Sequence, residues 1–167
     1  MIKRTHDILA ILGSHPATRE EFEWNRIKEC DIWAFNEAVS IGAWIQHASG
    51  VFQMHIPTIW RNPANRNDNK HADWLVGGQT PPVFMQEQYP DVPQSERYPL
   101  EEIITTLLPQ FSYTKSGVWD NRGGFFTNSV DYALALGIYL GYPRIEIYGC
   151  EMGLNTEYVY QRPGFCF

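Results

Sequence analysis

Few residues in this chain pair a reactive side chain with a position that could use it, and most of them follow short apolar runs. Gly13-Ser14-His15-Pro16 closes the run Asp7 to Leu12, and Asn36-Glu37 closes Asp31 to Phe35. His55 ends the run from Val51, and Gly149-Cys150-Glu151-Met152 follows Arg144 to Tyr148. His15 and His55 are candidate general bases, because imidazole titrates near neutrality. Glu151 suits a ligand hydroxyl or a metal, with loop capping as its plain alternative. Thr127, Asn128 and Ser129 precede a helical stretch, where free N–H groups and the helix dipole favour a phosphate or carboxylate. Trp44, Trp60, Trp74 and Trp119, with Arg61 and Arg66, could stack a base or sugar, with ordinary packing as the alternative use.

Several chemistries are excluded by spacing. The turn GSHP is neither GxGxxG nor GxxxxGK[ST], so no dinucleotide fingerprint and no Walker A loop is present. Ser14 beside His15 is not a nucleophile elbow, since GxSxG is missing. No HxH, HxxxH or DxD spacing occurs, so no metal is expected. Cys30, Cys150 and Cys166 are widely spaced and odd in number, which suits neither a disulfide framework nor a metal knuckle.

The elements that would position these groups follow from the apolar pattern. DILAIL and DIWAF are continuous apolar runs, as in strands buried on both faces. Thr18 with Glu21 has the form of a capping box and predicts a helix to about Glu29. The first 35 residues thus read as strand, helix, parallel strand. Glu37 to Gln46 predicts a helix and Val51 to His55 a third strand. Seven of the 11 prolines fall between Pro57 and Pro99, a stretch that cannot hold long regular elements. A short helix at His71 to Val76, a short strand at Val83 to Met85 and a helix at Leu100 to Leu108 are expected there, the rest being loop or lid. Thr127 to Leu140 is helical by spacing, with Gly141 as its C′ glycine and Pro143 blocking continuation. Arg144 to Tyr148 is a further strand. Strands alternating with helices predict a single α/β domain, a Rossmann-like three-layer sandwich with a mostly parallel central sheet and an irregular Pro-rich middle segment at about 57–99. In such sheets ligands bind beyond the carboxyl ends of the strands, where the candidate residues stand.

Composition sets the outer bounds. With 167 residues, 44% of them hydrophobic, the chain can bury one sizeable core and is not disordered. A net charge of −6 gives no electrostatic footprint for duplex nucleic acid. The apolar run Tyr132 to Tyr142 is too short to span a bilayer. The basic N-terminus lacks the apolar segment of a secretory signal, so a cytoplasmic location is expected. The apolar end Phe165-Cys166-Phe167 reads as a fragment boundary or as a tail docked on the core.

Residues 11–38 (ILGSHPATREEF…ECDIWAFNEA) and 125–152 (FFTNSVDYALALGIYLGYPRIEIYGCEM) together carry a resemblance. They resemble the bacterial sialyltransferases, with parts shared by the motility accessory factor glycosyltransferases and an archaeal hydroxymethylpterin diphosphokinase. The chain is also similar to small phage-encoded Rossmann-like proteins in which the last strand is followed by a segment like Glu157-Tyr158-Val159-Tyr160-Gln161-Arg162-Pro163. The sialyltransferase resemblance implies contacts from Gly13, Ser14 and Asn36 to the nucleotide of a CMP-sugar. It implies Thr127 and Ser129 facing the donor phosphate, with Tyr158 or Tyr160 assisting there. Three departures stand out: GSHP replaces the glycine loop, Cys150 stands at the strand-end acid, and no histidine follows His71.

The expectation is therefore a nucleotide or nucleotide-sugar binding protein, a glycosyltransferase-like transferase if it is an enzyme. Gly13, Ser14, His15, Asn36, Thr127, Asn128 and Ser129 would bind the nucleotide. His55, Glu151 or Tyr158 would do acid/base work. No cofactor beyond that ligand is expected. The partner would be a small-molecule nucleotide rather than a membrane, with self-association left open. The alternatives are a non-enzymatic phage accessory protein that sequesters a nucleotide or binds a host protein through an exposed Trp60–Trp74 patch, and a virion or assembly component with a vestigial site.

Overall fold

A computed structural model describes residues 3–36, 42–65, 70–78, 81–108, 126 and 128–150. The strands are β1 (Ile8–Leu12), β2 (Cys30–Phe35), β3 (Gly50–Gln53), β4 (Val83–Met85), β5 (Ser95–Arg97) and β6 (Arg144–Tyr148). The helices are α1 (Pro16–Arg19), α2 (Pro57–Trp60), α3 (His71–Val76), α4 (Leu100–Leu107) and α5 (Ser129–Tyr139), with 3-10 turns at Trp24–Arg26, Ala43–His47 and Pro63–Asn65. The six strands form one sheet in the order β5-β4-β3-β2-β1-β6, and every neighbouring pair is parallel. The chain winds outward from β1 to β5, then returns to place β6 on the other side of β1. The strand order therefore reverses between β1 and β6.

Side chains alternate across the sheet. Leu9, Ile11, Trp33, Phe35, Phe52 and Phe84 face one way and pack with Ile103 of α4 and Val130, Ala133 and Leu136 of α5. On the other face, Ala34, Val51, Val83 and Met85 pack with Trp60 of α2 and Leu75 of α3. Beside them Ala10, Leu12, Cys30 and Ile32 pack with Phe22. This is the α/β Rossmann-like sandwich of the expected class. Among the described residues no helix is long and apolar enough to cross a membrane.

Local differences have local causes. Helix α1 starts at Pro16, which is pre-organised for a first helical turn, and not at the capping-box pattern of Thr18 and Glu21. It ends by Glu20, because Phe22 turns into the core at 1% exposure and the chain tightens into the 3-10 turn. The part of the expected 37–46 helix that is described is also 3-10; residues 37–41 lie outside the described residues. The proline-rich middle keeps its elements short, the longest being the six residues of α3. It nevertheless supplies β5, which the sequence pattern does not announce, and much of the second core cluster. The described elements of this stretch pack against the sheet; residues 66–69 and 79–80 lie outside the described residues.

Helix α5 is anchored at both ends. Asn128 caps it, and Gly141 at φ 73 closes it: Gly141 N donates to Ile138 O at 3.0 Å and Tyr142 N to Gly137 O at 3.1 Å. This is the Schellman pattern, which needs a left-handed residue at C′. Its product is the position of Tyr142. The Tyr142 hydroxyl donates to Asp31 Oδ2 at 2.7 Å, in a carboxylate only 2% exposed. Thr5 N and His6 N donate to the same oxygen at 2.8 and 3.1 Å, and the Thr5 hydroxyl donates to Oδ1. One buried carboxylate thus ties the N-terminal segment, β2 and the α5–β6 turn together at the amino edge of the sheet.

Burial pushes the Asp31 carboxyl up, but the hydrogen bonds from Thr5, Tyr142 and His6 outweigh it and hold the group at about 2, below its ordinary 3.8. A depressed carboxyl stabilises the fold above its unfolded value and loses that contribution as the pH falls through its folded value. The wild-type protein should therefore lose about 2 kcal/mol relative to Asp31→Asn between pH 5 and pH 2. Urea midpoints of both proteins across that range check it; parallel curves would remove Asp31 as the linkage group.

Candidate functional site

The carboxyl edge is built strand by strand. After β1, Gly13 N donates to Tyr148 O at 2.7 Å and His15 N donates to Gly149 O at 3.0 Å, so the loop continues the pairing with β6. A Cβ on Gly13 would stand 2.2 Å from Gly149 O and 2.8 Å from Cys150 Sγ. Gly13 is therefore required by the opposing strand end, and two of the loop's N–H groups are already used. Ser14 is exposed, and His15 is half-buried at the N-cap of α1 without a side-chain cap bond. Burial pushes the Cys150 thiol up to about 12 and so disfavours the thiolate, against a lowering hydrogen bond from the Gly13 backbone.

Asn36 follows β2 at φ 44, a left-handed conformation that asparagine tolerates. Its N–H donates to Phe52 O at 2.9 Å, which locks the end of β2 to β3. Its Oδ1 is buried and has no hydrogen-bond partner.

The end of β3 carries a buried polar chain. Gln53 is fully buried, as is His71, the first residue of α3. Gln53 Nε2 lies 2.7 Å from His71 Nε2, and Gln53 Oε1 lies 2.9 Å from His55 Nδ1 and 3.3 Å from the His55 backbone N. A backbone N–H can only donate, so the amide atom facing His55 is the oxygen. The amide nitrogen then faces His71, whose Nε2 must accept. His55 Nδ1 must in turn carry the proton that Oε1 accepts. In their neutral forms both rings then carry the proton on Nδ1, with the lone pair of His55 on Nε2. A base oriented by a second group that is held by a third has the logic of an activated catalytic base. Gln86 Nε2 adds a bond to Met54 O at 2.8 Å, holding the backbone between Gln53 and His55.

The start of α5 is differently disposed. Asn128 Oδ1 accepts from Val130 N at 2.9 Å and Asp131 N at 3.2 Å. Asp131 Oδ2 accepts from Asn128 N at 3.1 Å and Asn128 Nδ2 at 2.9 Å. This capping box satisfies first-turn donors internally and places a 5% exposed carboxylate at the positive end of the helix. An incoming phosphate would meet like charge there. Ser129 is the first residue of α5, while Thr127, Glu151 and Tyr158 lie outside the described residues, as do Tyr160, Arg66, Trp119 and the 165–167 end.

The edge therefore brings together Ser14 and His15, Asn36, and Gln53 with His55 at the ends of three adjacent strands. Neighbouring strands stand about 4.8 Å apart, so this row is about 10 Å long. Asn128 and Ser129 stand on a separate element. Trp60 and Trp74 serve packing: Trp60 is 1% exposed against Tyr89, and Trp74 stacks on His71 with ring centroids 6.1 Å apart. An exposed Trp60–Trp74 patch is not formed. Gln53 and His71 were missed at the sequence level. The available signal was a glutamine closing the otherwise apolar strand GVFQ. Among the described residues no group of three or more His, Cys, Asp or Glu is arranged to hold a metal ion.

Comparison with protein-family models, with curated proteins and with solved structures finds no match for this chain.

Two outcomes follow from this geometry. Long-range nitrogen–proton NMR spectra should show His55 and His71 both protonated on Nδ1, and Gln53→Leu should cost roughly 1–3 kcal/mol for each buried group left unsatisfied. An Nε2–H tautomer at His71 would refute the relay. Gly13→Ala should destabilise by roughly 1–3 kcal/mol, since backbone and not a flexible side chain stands in the way. A thermal melt unchanged from wild type would show that the two strand ends yield freely.

Proposed function

We propose that the chain binds a nucleotide or nucleotide-sugar along the carboxyl edge of its sheet, with His55 as the acid/base group toward an acceptor hydroxyl. The observation that carries this reading is the His55–Gln53–His71 chain, which fixes an imidazole lone pair at the end of the row that starts at Ser14 and passes Asn36. Gln53 and His71 are fully buried, and a buried amide is costly unless it is hydrogen-bonded, as Gln53 is to both rings. Asn36 offers a buried amide oxygen suited to the exocyclic amine of a base. The phosphate end of the ligand lies toward the β1 loop, because the first turn of α5 faces its own Asp131.

In transfer, His55 Nε2 takes the proton of the acceptor hydroxyl as that oxygen attacks the activated carbon of the donor, and the nucleotide leaves with the bonding electrons. The imidazolium then donates Nδ1–H to Gln53 Oε1, the contact already in place. Gln53 positions the ring and disperses its charge without changing its own protonation.

Calorimetric titration with CMP, UMP, GMP and a CMP-sugar tests the reading. Saturable binding of at least one is expected, with His55→Ala keeping the affinity and slowing any consumption of the donor by about 10²- to 10⁴-fold. Tight binding with no consumption by the wild-type protein assigns the chain to the sequestering alternative. No binding at millimolar concentration, with the circular dichroism of the folded protein intact, sinks the nucleotide reading.

A further inference from the structure

The connection from β1 to β2 carries two mostly buried arginines with opposite surroundings. Arg26 makes a two-pronged contact with Glu146, both bonds at 3.0 Å, and that carboxylate also accepts from Tyr148 OH at 2.8 Å. Arg19 has a side chain only 17% exposed and nothing comparable. Its Nη1 reaches Ser14 O at 3.4 Å, and its Nη2 reaches Glu20 Oε1 at 3.5 Å, in a side chain 62% exposed. Its Nε is buried with no hydrogen-bond partner. Arg97 also makes a 3.5 Å contact, with Glu87, but at 57% exposure water solvates it. A guanidinium removed from water without a strong acceptor is costly to the fold.

The surroundings of Arg19 repeat the pattern. Its Cζ lies 5.7 Å from the centroid of Trp44, whose ring face attracts a cation but accepts no in-plane hydrogen bond. Trp44 Nε1 is itself buried without a partner, and so is the hydroxyl of Thr18, in the same turn of α1. Arg19 Nε, the N–H of the ring its guanidinium rests on, and the hydroxyl of the residue before it are thus each left without a partner. A Cβ on Gly149 would stand 3.0 Å from Arg19 Cβ, which places this neighbourhood beside the point where the strand order reverses between β1 and β6. Open parallel sheets take their ligands there.

We infer that Arg19, with Thr18 and the Trp44 N–H, forms a binding site for a small oxyanion, a phosphoryl or carboxylate group that supplies the missing acceptors. The guanidinium fork matches either group in a paired contact. This deepens the nucleotide reading by locating its anionic end next to Ser14, but it needs no nucleoside.

The test is calorimetry of the full chain with inorganic phosphate and, separately, acetate, each against chloride of equal ionic strength. Saturable binding of one anion in the millimolar range or tighter is expected, and the arm that binds names the group. Arg19→Gln should weaken it at least about tenfold, the loss expected for one charge-assisted hydrogen bond. Trp44→Phe, which keeps the ring and removes the N–H, should weaken it by a smaller factor. If Arg19→Gln fails to fold, Arg19→Lys serves instead, keeping the charge and losing the fork. Absence of saturable binding by either anion, or unchanged affinity in the Arg19 and Trp44 variants, overturns the proposal. Titration with cytidine, uridine and guanosine separates the two readings: nucleoside binding without phosphate binding leaves the Asn36–His55 row and removes this site, and the reverse result does the opposite.

Discussion

A strand paired on both sides and covered on both faces has no place for polar chemistry except its two ends. β1 is such a strand: it bonds to β2 and β6, and Leu9 to Leu12 are fully buried. The same constraint holds for most of β2 and β3. Polar groups in this region are therefore displaced to the amino and carboxyl edges of the sheet, and each edge deals with them differently. At the amino edge, five donors converge on Asp31: two backbone N–H groups, two hydroxyls and the His6 ring at Nδ1. The carboxylate is saturated, and its depressed titration is the electrostatic expression of that saturation.

The carboxyl edge is saturated only in places. Where β1 meets β6, Gly13 and Gly149 let two backbones touch, and the first N–H groups of the loop bond across the gap. At α5 the capping box completes itself. Between these closed points stand groups whose bonding is incomplete, namely Asn36 Oδ1, Arg19 Nε and Trp44 Nε1. Trp33 Nε1 and Trp60 Nε1 in the core are also buried without a partner, so the charge of Arg19, rather than the indole of Trp44, sets this edge apart.

What the sequence disclosed depended on how local the cause was. β1 and β2 were legible because burial on both faces demands an unbroken apolar run, and β6, an edge strand, because Ile145 and Ile147 alternate with charged residues. The end of α5 was legible because Gly141 and Pro143 act through their own backbone angles. β5 was not, since an edge strand of Ser95, Glu96 and Arg97 pairs on one side only and carries no apolar pattern. The start of α1 was misplaced because Thr18 and Glu21 match a capping box by spacing, while Pro16 decides the first turn by its fixed angle. Gly13 was recognisable as a special position, but its reason, the carbonyl of Gly149, arrives from the last described strand. Gln53 and His71 belong to different elements, and only the sheet–helix packing makes them neighbours.

The two arginines between β1 and β2 show why a buried charge is informative only with its partners in view. Arg26 meets Glu146 of β6 in a paired contact, and Arg144 adds a second cation 2.7 Å from the same carboxylate: the arginine raises no unmet demand, and the carboxyl is held low chiefly by Arg26 despite burial. Such a pair stabilises little against an apolar replacement of equal shape, but either half alone would be expensive. Arg19 has only long contacts, to Ser14 O and to the exposed Glu20, and a buried Nε without a partner. Its stem packs against the strand-end glycine contact, and its head rests on Trp44, so packing explains where it sits but not why the residue is charged. The charge of Arg19, next to the point where the strand order reverses, is the feature of this edge that packing does not account for.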